Sequence, residues 1–169
     1  MTIRKTIKHP KKRGEWAELC FMAKAAEHGL QLAKPWGETA SYDFAIEYAG
    51  RFTRVQVKST MFKDRGGYSC TVRGSNGPYV GDVFDYLAAY VIPMDVWYII
   101  PAERIRGQGS IALYPKLEKS KYGPYREAWE LLRGTVEIEA MAGEEGGEVS
   151  ESSVSKFREI GVTPELLEA

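Results

Sequence analysis

The feature that most constrains the fold is a pair of alternating segments, residues 41–48 and 52–58, which are separated by the turn Ala49-Gly50. Apolar and polar residues alternate with period two in both segments, as in strands that bury one face. Two such segments around a glycine-containing turn predict an antiparallel β-hairpin. Its apolar face is expected to consist of Tyr42, Phe44, Ile46, Tyr48, Val55 and Val57, and its polar face includes Asp43, Glu47, Arg54, Gln56 and Lys58.

The rest of the chain predicts one long helix and several short strands. The helix is expected from Gly14 to about Glu27 and is ended by Gly29, a favoured residue after a helix. Its buried stripe is predicted to be Leu19, Met22, Ala26 and Leu30. Further strands are predicted at residues 30–33, 68–72, 85–92, 96–100 and 111–114, the two at 85–92 and 96–100 as inner strands.

Two more helical segments complete the predicted architecture. Residues 125–133 are expected to be helical, with Ala128, Leu131 and Leu132 packing inward, and a short terminal helix is expected to start at Thr163-Pro164. The order predicts an α/β fold in which a helix is followed by a mixed β-sheet flanked by helices.

Charge is distributed unevenly, although 23 basic residues balance 23 acidic ones over the 169 residues. Residues 1–13 carry six basic side chains and no acidic one, whereas residues 134–169 carry nine acidic and two basic side chains. We therefore divide the chain into a basic N-terminal arm (1–13), a globular domain (14–133) and an acidic C-terminal extension (134–169). A basic arm is compatible with a polyanionic partner and equally with a solvated terminus.

Composition also predicts the compartment. No segment has the ~18 consecutive apolar residues of a membrane-spanning helix, and the basic N-terminus lacks the apolar core of a secretion signal. Cys20 and Cys70 are too few for a disulfide framework and do not have a metal-ligand spacing. We expect a reduced, cytoplasmic protein with no membrane partner.

Candidate chemistry lies at one corner of the predicted hairpin. Asp43 lies near the start of the first strand, and Gln56 and Lys58 lie at the end of the second, so antiparallel pairing brings these ends together. A carboxylate, an amide oxygen and the main-chain carbonyl of Val57 are ligands for a hard divalent cation. Lys58 would orient a water or stabilise charge on a phosphate. The alternative interpretation is the ordinary solvated face of a strand pair.

Together with the first helix, this corner resembles the PD-(D/E)XK nuclease superfamily. The closest resemblance is to the branch that includes group I intron homing endonucleases, in which Gln replaces the second acid of the motif. The residues that carry it are GEWAE (14–18), HGL (28–30), SYDFAIE (41–47), RVQVKST (54–60), DYLAAYVI (85–92) and WYIIP (97–101). Tyr42 stands where the motif has its proline.

The resemblance implies a restriction-endonuclease-like core and a role for each motif residue. Asp43 corresponds to the metal-binding acid, Gln56 to the second acid and Lys58 to the catalytic lysine. Glu18, which precedes Gly29 by eleven positions as in resolvase-like relatives, corresponds to the helix acid, with Glu15 as the competing choice. The implied metal ligands are therefore Asp43, Gln56, Glu18 and the Val57 carbonyl, and the implied cofactor is Mg²⁺, for which Mn²⁺ substitutes.

The implied function is a metal-dependent DNA endonuclease that uses one or two metal ions for in-line attack of water on a phosphodiester. Double-stranded or branched DNA would be held by Lys11, Lys12, Arg13, Ser59, Arg65 and Arg73. Cutting both strands implies a homodimer or homotetramer. Two alternatives stay open: a catalytically silent DNA-binding module with the same fold, prompted by the charge lost at Gln56, and a Holliday-junction resolvase-like enzyme.

Overall fold

The computed structural model describes residues 7–37, 39–74 and 77–134. These ranges contain one α-helix, ten strands and four short 3₁₀ helices. The helix and strands are α1 (Pro10–Glu27), β1 (Gln31–Ala33), β2 (Phe44–Tyr48), β3 (Arg51–Thr60), β4 (Lys63–Asp64), β5 (Gly67–Thr71), β6 (Arg73–Gly74), β7 (Gly77–Pro78), β8 (Tyr86–Val91), β9 (Val96–Pro101) and β10 (Ser110–Leu113). The 3₁₀ helices are Ile92–Met94, Ala102–Arg104, Gly123–Tyr125 and Trp129–Arg133.

The main sheet has five strands in the order β1-β2-β3-β8-β9. The predicted hairpin is confirmed, because β2 and β3 pair antiparallel with Phe44 opposite Val55. Next, β3 pairs with β8 in parallel, and β8 pairs with β9 antiparallel. A three-stranded sheet (β10-β5-β4) and the β6-β7 ribbon complete the described strands. The predicted α/β class with a mixed sheet is therefore confirmed.

Helix α1 covers one face of the main sheet through Ala17, Phe21 and Ala25, which are all buried. The Phe21 ring centroid lies 5.3 Å from that of Phe44 and 5.7 Å from that of Trp129. The small residues on either side of Phe21 let the helix approach the sheet closely while its ring enters the aromatic core. The contact face is thus formed by three side chains that are spaced four residues apart and therefore lie on the same side of the helix.

The predicted buried stripe of α1 is wrong for three of its four members. Leu19 and Met22 are exposed to 64% and 38%, and Ala26 is exposed as well, whereas Leu30 is buried. The helix has apolar residues around most of its circumference, so counting large side chains does not identify the buried face. Close packing on the sheet selects the Ala-Phe-Ala face instead.

Two further predictions of helix extent differ from the structure. The helix begins at Pro10 rather than Gly14, since proline fits a first turn, and Lys11, Lys12 and Arg13 are therefore helical. Residues 125–133 form no continuous helix, because Glu127 has a φ of +51° between two 3₁₀ turns. Ala128 and Leu132 are buried as predicted, and Leu131 is half-buried.

Strands β8 and β9 are buried on both faces, but β9 is the last strand of the sheet rather than an inner one. Its outer edge is covered by the following chain, since the Glu127 main-chain N–H donates to the Trp97 carbonyl at 2.9 Å and Tyr98 bridges to Arg126. The Glu127 carboxylate accepts from the Trp97 main-chain N–H at 2.7 Å and from the Trp129 indole N–H at 2.8 Å. Because this edge is covered, β9 has the apolar sequence that is typical of an inner strand.

In the described part of the chain, no helix combines the length and apolarity needed to cross a bilayer. The acidic extension after Gly134, with its expected helix at Thr163, and the first six residues of the basic arm lie outside the described residues. The division into arm, domain and extension stays a prediction.

Candidate active site

Asp43 directly precedes β2 and lies at the open end of the β2-β3 hairpin, away from the turn. Its main-chain N–H donates to the Val55 carbonyl at 2.9 Å, and beyond this point β3 has no further β2 residue opposite it. The Asp43 carboxylate takes the place of the missing strand, because its Oδ2 accepts from the Val57 main-chain N–H at 2.7 Å and from Gln56 Nε2 at 2.6 Å. Hairpin geometry therefore fixes the carboxylate against the strand that carries Gln56 and Lys58.

The four predicted catalytic residues share one cavity of about 290 Å³. Asp43 directly precedes β2, Gln56 and Lys58 come from β3, and Glu18 comes from α1 directly after the buried Ala17. The cavity is lined by Pro10, Arg13, Gly14, Ala17, Glu18, Asp43, Gln56, Val57, Lys58 and Ser59. Packing of α1 through Ala17 brings the adjacent Glu18 to the mouth of the hairpin corner, and small residues on the helix leave the space open.

Burial dominates the electrostatics of Asp43. Loss of water raises the pKa of its carboxyl group to about 6, and the negative charge of Glu18 acts in the same direction. The hydrogen bond from Val57 and the charges of Lys58 and Lys34 oppose the rise without cancelling it. A carboxylate that is costly to ionise in the folded chain is one that gains from a bound cation.

Lys34 is a site residue that the sequence analysis missed. Its Nζ lies 2.8 Å from Glu18 Oε2 and 5.4 Å from the centroid of the Phe44 ring. The hydrogen bond to Glu18 raises the pKa of Lys34. No spacing rule predicts this contact, because it depends on the β1-β2 register, in which Ala33 lies opposite Ala45.

Tyr79 is a second missed residue. Lys58 Nζ lies 5.6 Å from the centroid of the Tyr79 ring, within the range of a cation–π interaction. The ring is in turn held edge-on by Phe84, with centroids 4.8 Å apart and an interplanar angle of 85°. The aromatic pair gives the half-buried Lys58 side chain a fixed neighbour.

The predicted DNA-binding residues fall into two groups. Arg13 and Ser59 line the cavity, and the exposed Lys11 and Lys12 lie beside Arg13 on the first turn of α1. The exposed Arg65 and Arg73 lie elsewhere: Arg65 is in the turn between β4 and β5, and Arg73 lines a different cavity. Arg13, Lys11, Lys12 and Ser59 therefore lie at or beside the cavity, whereas Arg65 and Arg73 lie away from it.

The donor set fits a hard divalent cation. Asp43, Glu18, the Gln56 amide and the Val57 carbonyl offer oxygen atoms at one cavity, which is the preference of Mg²⁺ and Mn²⁺. In this structure the Gln56 amide turns its Nε2 toward both Asp43 Oδ2 and the Val57 carbonyl, so the amide must rotate before its Oε1 can join them as a ligand. Within the described ranges, no group of three or more His, Cys, Asp or Glu residues is placed to hold a metal. The amide and the carbonyl must therefore complete any ligand set.

A mixed sheet whose hairpin corner carries an acid, an amide and a lysine beside a helix glutamate defines a class of nuclease. The family model of PD-(D/E)XK endonucleases matches residues 8–132, and the chain belongs to that family. The predicted superfamily is thereby confirmed. Nucleases of this family generally use divalent metal ions, and the family indicates DNA as the substrate class.

Among solved structures, the chain is similar to a bacterial homing endonuclease, I-Ssp6803I. The two are 30% identical, the match covers 74% of this chain and 91% of the other, and the TM-score is 0.63. This likeness confirms the predicted restriction-endonuclease-like fold and agrees with the homing endonuclease branch. A search of curated proteins found no match.

Proposed function

We propose that this protein is a Mg²⁺-dependent DNA endonuclease that hydrolyses a phosphodiester bond at the cavity between α1 and the β2-β3 corner. The observation that carries the proposal is the convergence of Glu18, Asp43, Gln56 and Lys58 on one cavity. Four chemically compatible groups from three elements meet there, although they are up to 40 residues apart in sequence. A merely solvated strand face would not place the helix glutamate in the same cavity.

Each side chain has a role that follows from its position. Asp43, Gln56, Glu18 and the Val57 carbonyl would hold the cation, which when bound supplies positive charge to a phosphodiester oxygen and activates water. The Val57 hydrogen bond holds the Asp43 carboxylate in place, so this ligand needs no reorganisation, whereas the Gln56 amide must turn to present its oxygen. Lys58 supplies a positive charge and hydrogen bonds that would orient the attacking water or stabilise the phosphate as it passes to the pentavalent state.

DNA binding would rest mainly on phosphate contacts around the same cavity. Arg13 and Ser59 line it, and Lys11 and Lys12 extend its positive edge along α1. Such contacts are not sequence-specific, and they make affinity fall steeply with salt. Because one cavity serves one strand, we propose that a homodimer or homotetramer cuts a duplex. We also propose a cytoplasmic location.

The decisive experiment is plasmid nicking with Mg²⁺ or Mn²⁺ by the wild type and by Lys58→Ala. Removing the ammonium group should lower the rate on the order of 10²- to 10⁴-fold. The matched control is Lys63→Ala, which removes an exposed lysine of β4 and should leave the rate within about twofold. Equal nicking by Lys58→Ala and the wild type would contradict the proposal.

The same preparation separates the two alternatives. A silent DNA-binding module would bind DNA with a steep salt dependence and would nick with neither metal. The silent module is suggested by the neutral amide at Gln56 and by the small number of carboxylates around the described cavity. A resolvase-like enzyme would cut a four-way junction in preference to its linear arms.

A further inference from the structure

A second cavity lies beyond the end of β3, on the three-stranded sheet. It has a volume of about 450 Å³ and is lined by Phe62, Ser69, Thr71, Arg73, Gly109 and Ser110. The described residues that line it offer an aromatic ring, a guanidinium group and three hydroxyl groups, and no carboxylate. This combination suits an anionic ligand that also has a flat apolar face.

Phe62 is held firmly in the position that exposes its ring. Its main-chain N–H donates to Thr60 Oγ1 at 3.1 Å, and its carbonyl accepts from the Ser69 N–H at 2.9 Å. Thr60 Oγ1 also donates to the Ser69 carbonyl, so the buried Thr60 ties the end of β3 to β5. Nevertheless, 68% of Phe62 is exposed to solvent. A fixed backbone that presents a phenyl ring to water is preorganised to receive a partner surface.

The site is close enough to the candidate active site to contact the same DNA strand. Phe62 follows Lys58 by four residues, of which the first two belong to β3, so the chain between them spans at most about 13 Å. That length corresponds to roughly four base steps along one strand of duplex DNA. The two faces of a base inside a duplex are covered by its neighbours, so an aromatic ring can stack only on a base that is unpaired.

We propose that Phe62 and Arg73 form a binding site for an unpaired nucleotide of the DNA strand, a few steps from the phosphate that is cut. The phenyl ring stacks on the base, and the guanidinium group and the hydroxyl groups contact the phosphate. This inference rests on the proposed function only for the identity of the ligand as DNA. It assigns the exposed Phe62 a role that the catalytic cavity does not need.

The test measures binding of the full chain to a fluorescent single-stranded oligothymidine and to a duplex of equal length, in EDTA so that neither is cut. Stacking of one base on an aromatic ring contributes about 1–3 kcal/mol, so Phe62→Ala should weaken single-strand binding at least about fivefold. Phe62→Tyr keeps the ring and should stay within about twofold. Leu117→Ala removes another exposed apolar side chain, which is 59% exposed and outside this cavity, and is the matched control.

Each outcome bears on the site separately from catalysis. A wild type that nicks plasmid but does not bind the oligothymidine would overturn the site and leave the nuclease intact. An unchanged single-strand affinity in Phe62→Ala would also overturn the proposed nucleotide site. An equal loss of affinity for the duplex would overturn it as well. If Phe62→Ala instead changes the sedimentation coefficient, the ring belongs to a subunit interface and the proposal is wrong.

Discussion

Lys34 Nζ lies 2.8 Å from Glu18 Oε2, so the helix glutamate of the candidate active site is paired with a lysine from the loop after β1. About a quarter of the Glu18 side chain is exposed, against more than half of the Lys34 side chain. The pair is therefore accessible to solvent, and its net stabilisation is small. An accessible ammonium group at a carboxylate competes with any cation that binds there.

Removing this competitor should raise the affinity for a divalent ion. We expect Lys34→Gln to bind Mn²⁺ roughly two- to fivefold more tightly than the wild type, because an exposed pair contributes about 0.2–1 kcal/mol. Titration of the DNA-free protein, followed by electron paramagnetic resonance of free Mn²⁺, measures this directly. Lys24→Gln is the control, since Lys24 pairs with Glu27 at 2.6 Å on the same helix outside the cavity. Equal or weaker Mn²⁺ binding by Lys34→Gln would refute the competition.

Asp43 should destabilise the folded chain at neutral pH. Its pKa rises from 3.8 to about 6 on folding, so between these values the unfolded chain loses its proton first and stability falls as pH rises. Asp43→Asn keeps an oxygen for the Val57 N–H and carries no charge. We expect it to match the wild type below about pH 4 and to exceed it by up to about 3 kcal/mol above pH 7, while losing nicking activity. Urea unfolding in EDTA at several pH values measures the difference, and a difference that does not grow with pH would contradict the assignment.

Restoring the carboxylate of the family motif should make the cation-free protein less stable. Gln56 Nε2 donates to Asp43 Oδ2 at 2.6 Å, and Gln56→Glu replaces this bond by two acids in contact, which cannot both ionise without repulsion. We expect a melting temperature several degrees lower at pH 8 in EDTA, a smaller loss at pH 5, and a larger gain from Mg²⁺ than in the wild type. Gln31→Glu, which adds the same charge opposite Glu47 and outside the cavity, is the control for the response to Mg²⁺. An equal response of both variants to Mg²⁺ would contradict the ligand set.

Two helix substitutions test which face of α1 is buried. Phe21 is fully buried among Phe44, Trp97 and Trp129, so Phe21→Ala should cost about 3–5 kcal/mol of unfolding free energy. Leu19→Ala should cost about 0.5 kcal/mol or less because Leu19 is largely exposed. Chemical denaturation of both variants checks the contrast. A larger loss from Leu19→Ala would mean that the stripe predicted from the sequence faces a partner in solution.

Local patterns were sufficient for the hairpin and for much of the candidate site. Alternation in residues 41–48 and 52–58 predicted β2 and β3, and their antiparallel pairing predicted that Asp43 and Gln56 meet. Helix packing was less predictable, since Leu19 and Met22 read as core residues although Ala17, Phe21 and Ala25 form the contact. Steric fit against the sheet decides which face of α1 is buried. The apolar periodicity of the helix sequence does not by itself predict that face.

What the sequence determined by itself is the set of groups: a hairpin whose corner carries an acid, an amide and a lysine, and a helix that supplies a glutamate. Pairing between neighbouring strands is a local interaction, so spacing brings Asp43, Gln56 and Lys58 together, whereas their roles and the choice of Glu18 came from the resemblance to the family. Only the tertiary structure decided that Glu18 enters the same cavity, that Lys34 pairs with it, and that Tyr79 lies beside Lys58. These contacts join segments that are distant along the chain, and their geometry is set by how the helix and loops pack on the completed sheet.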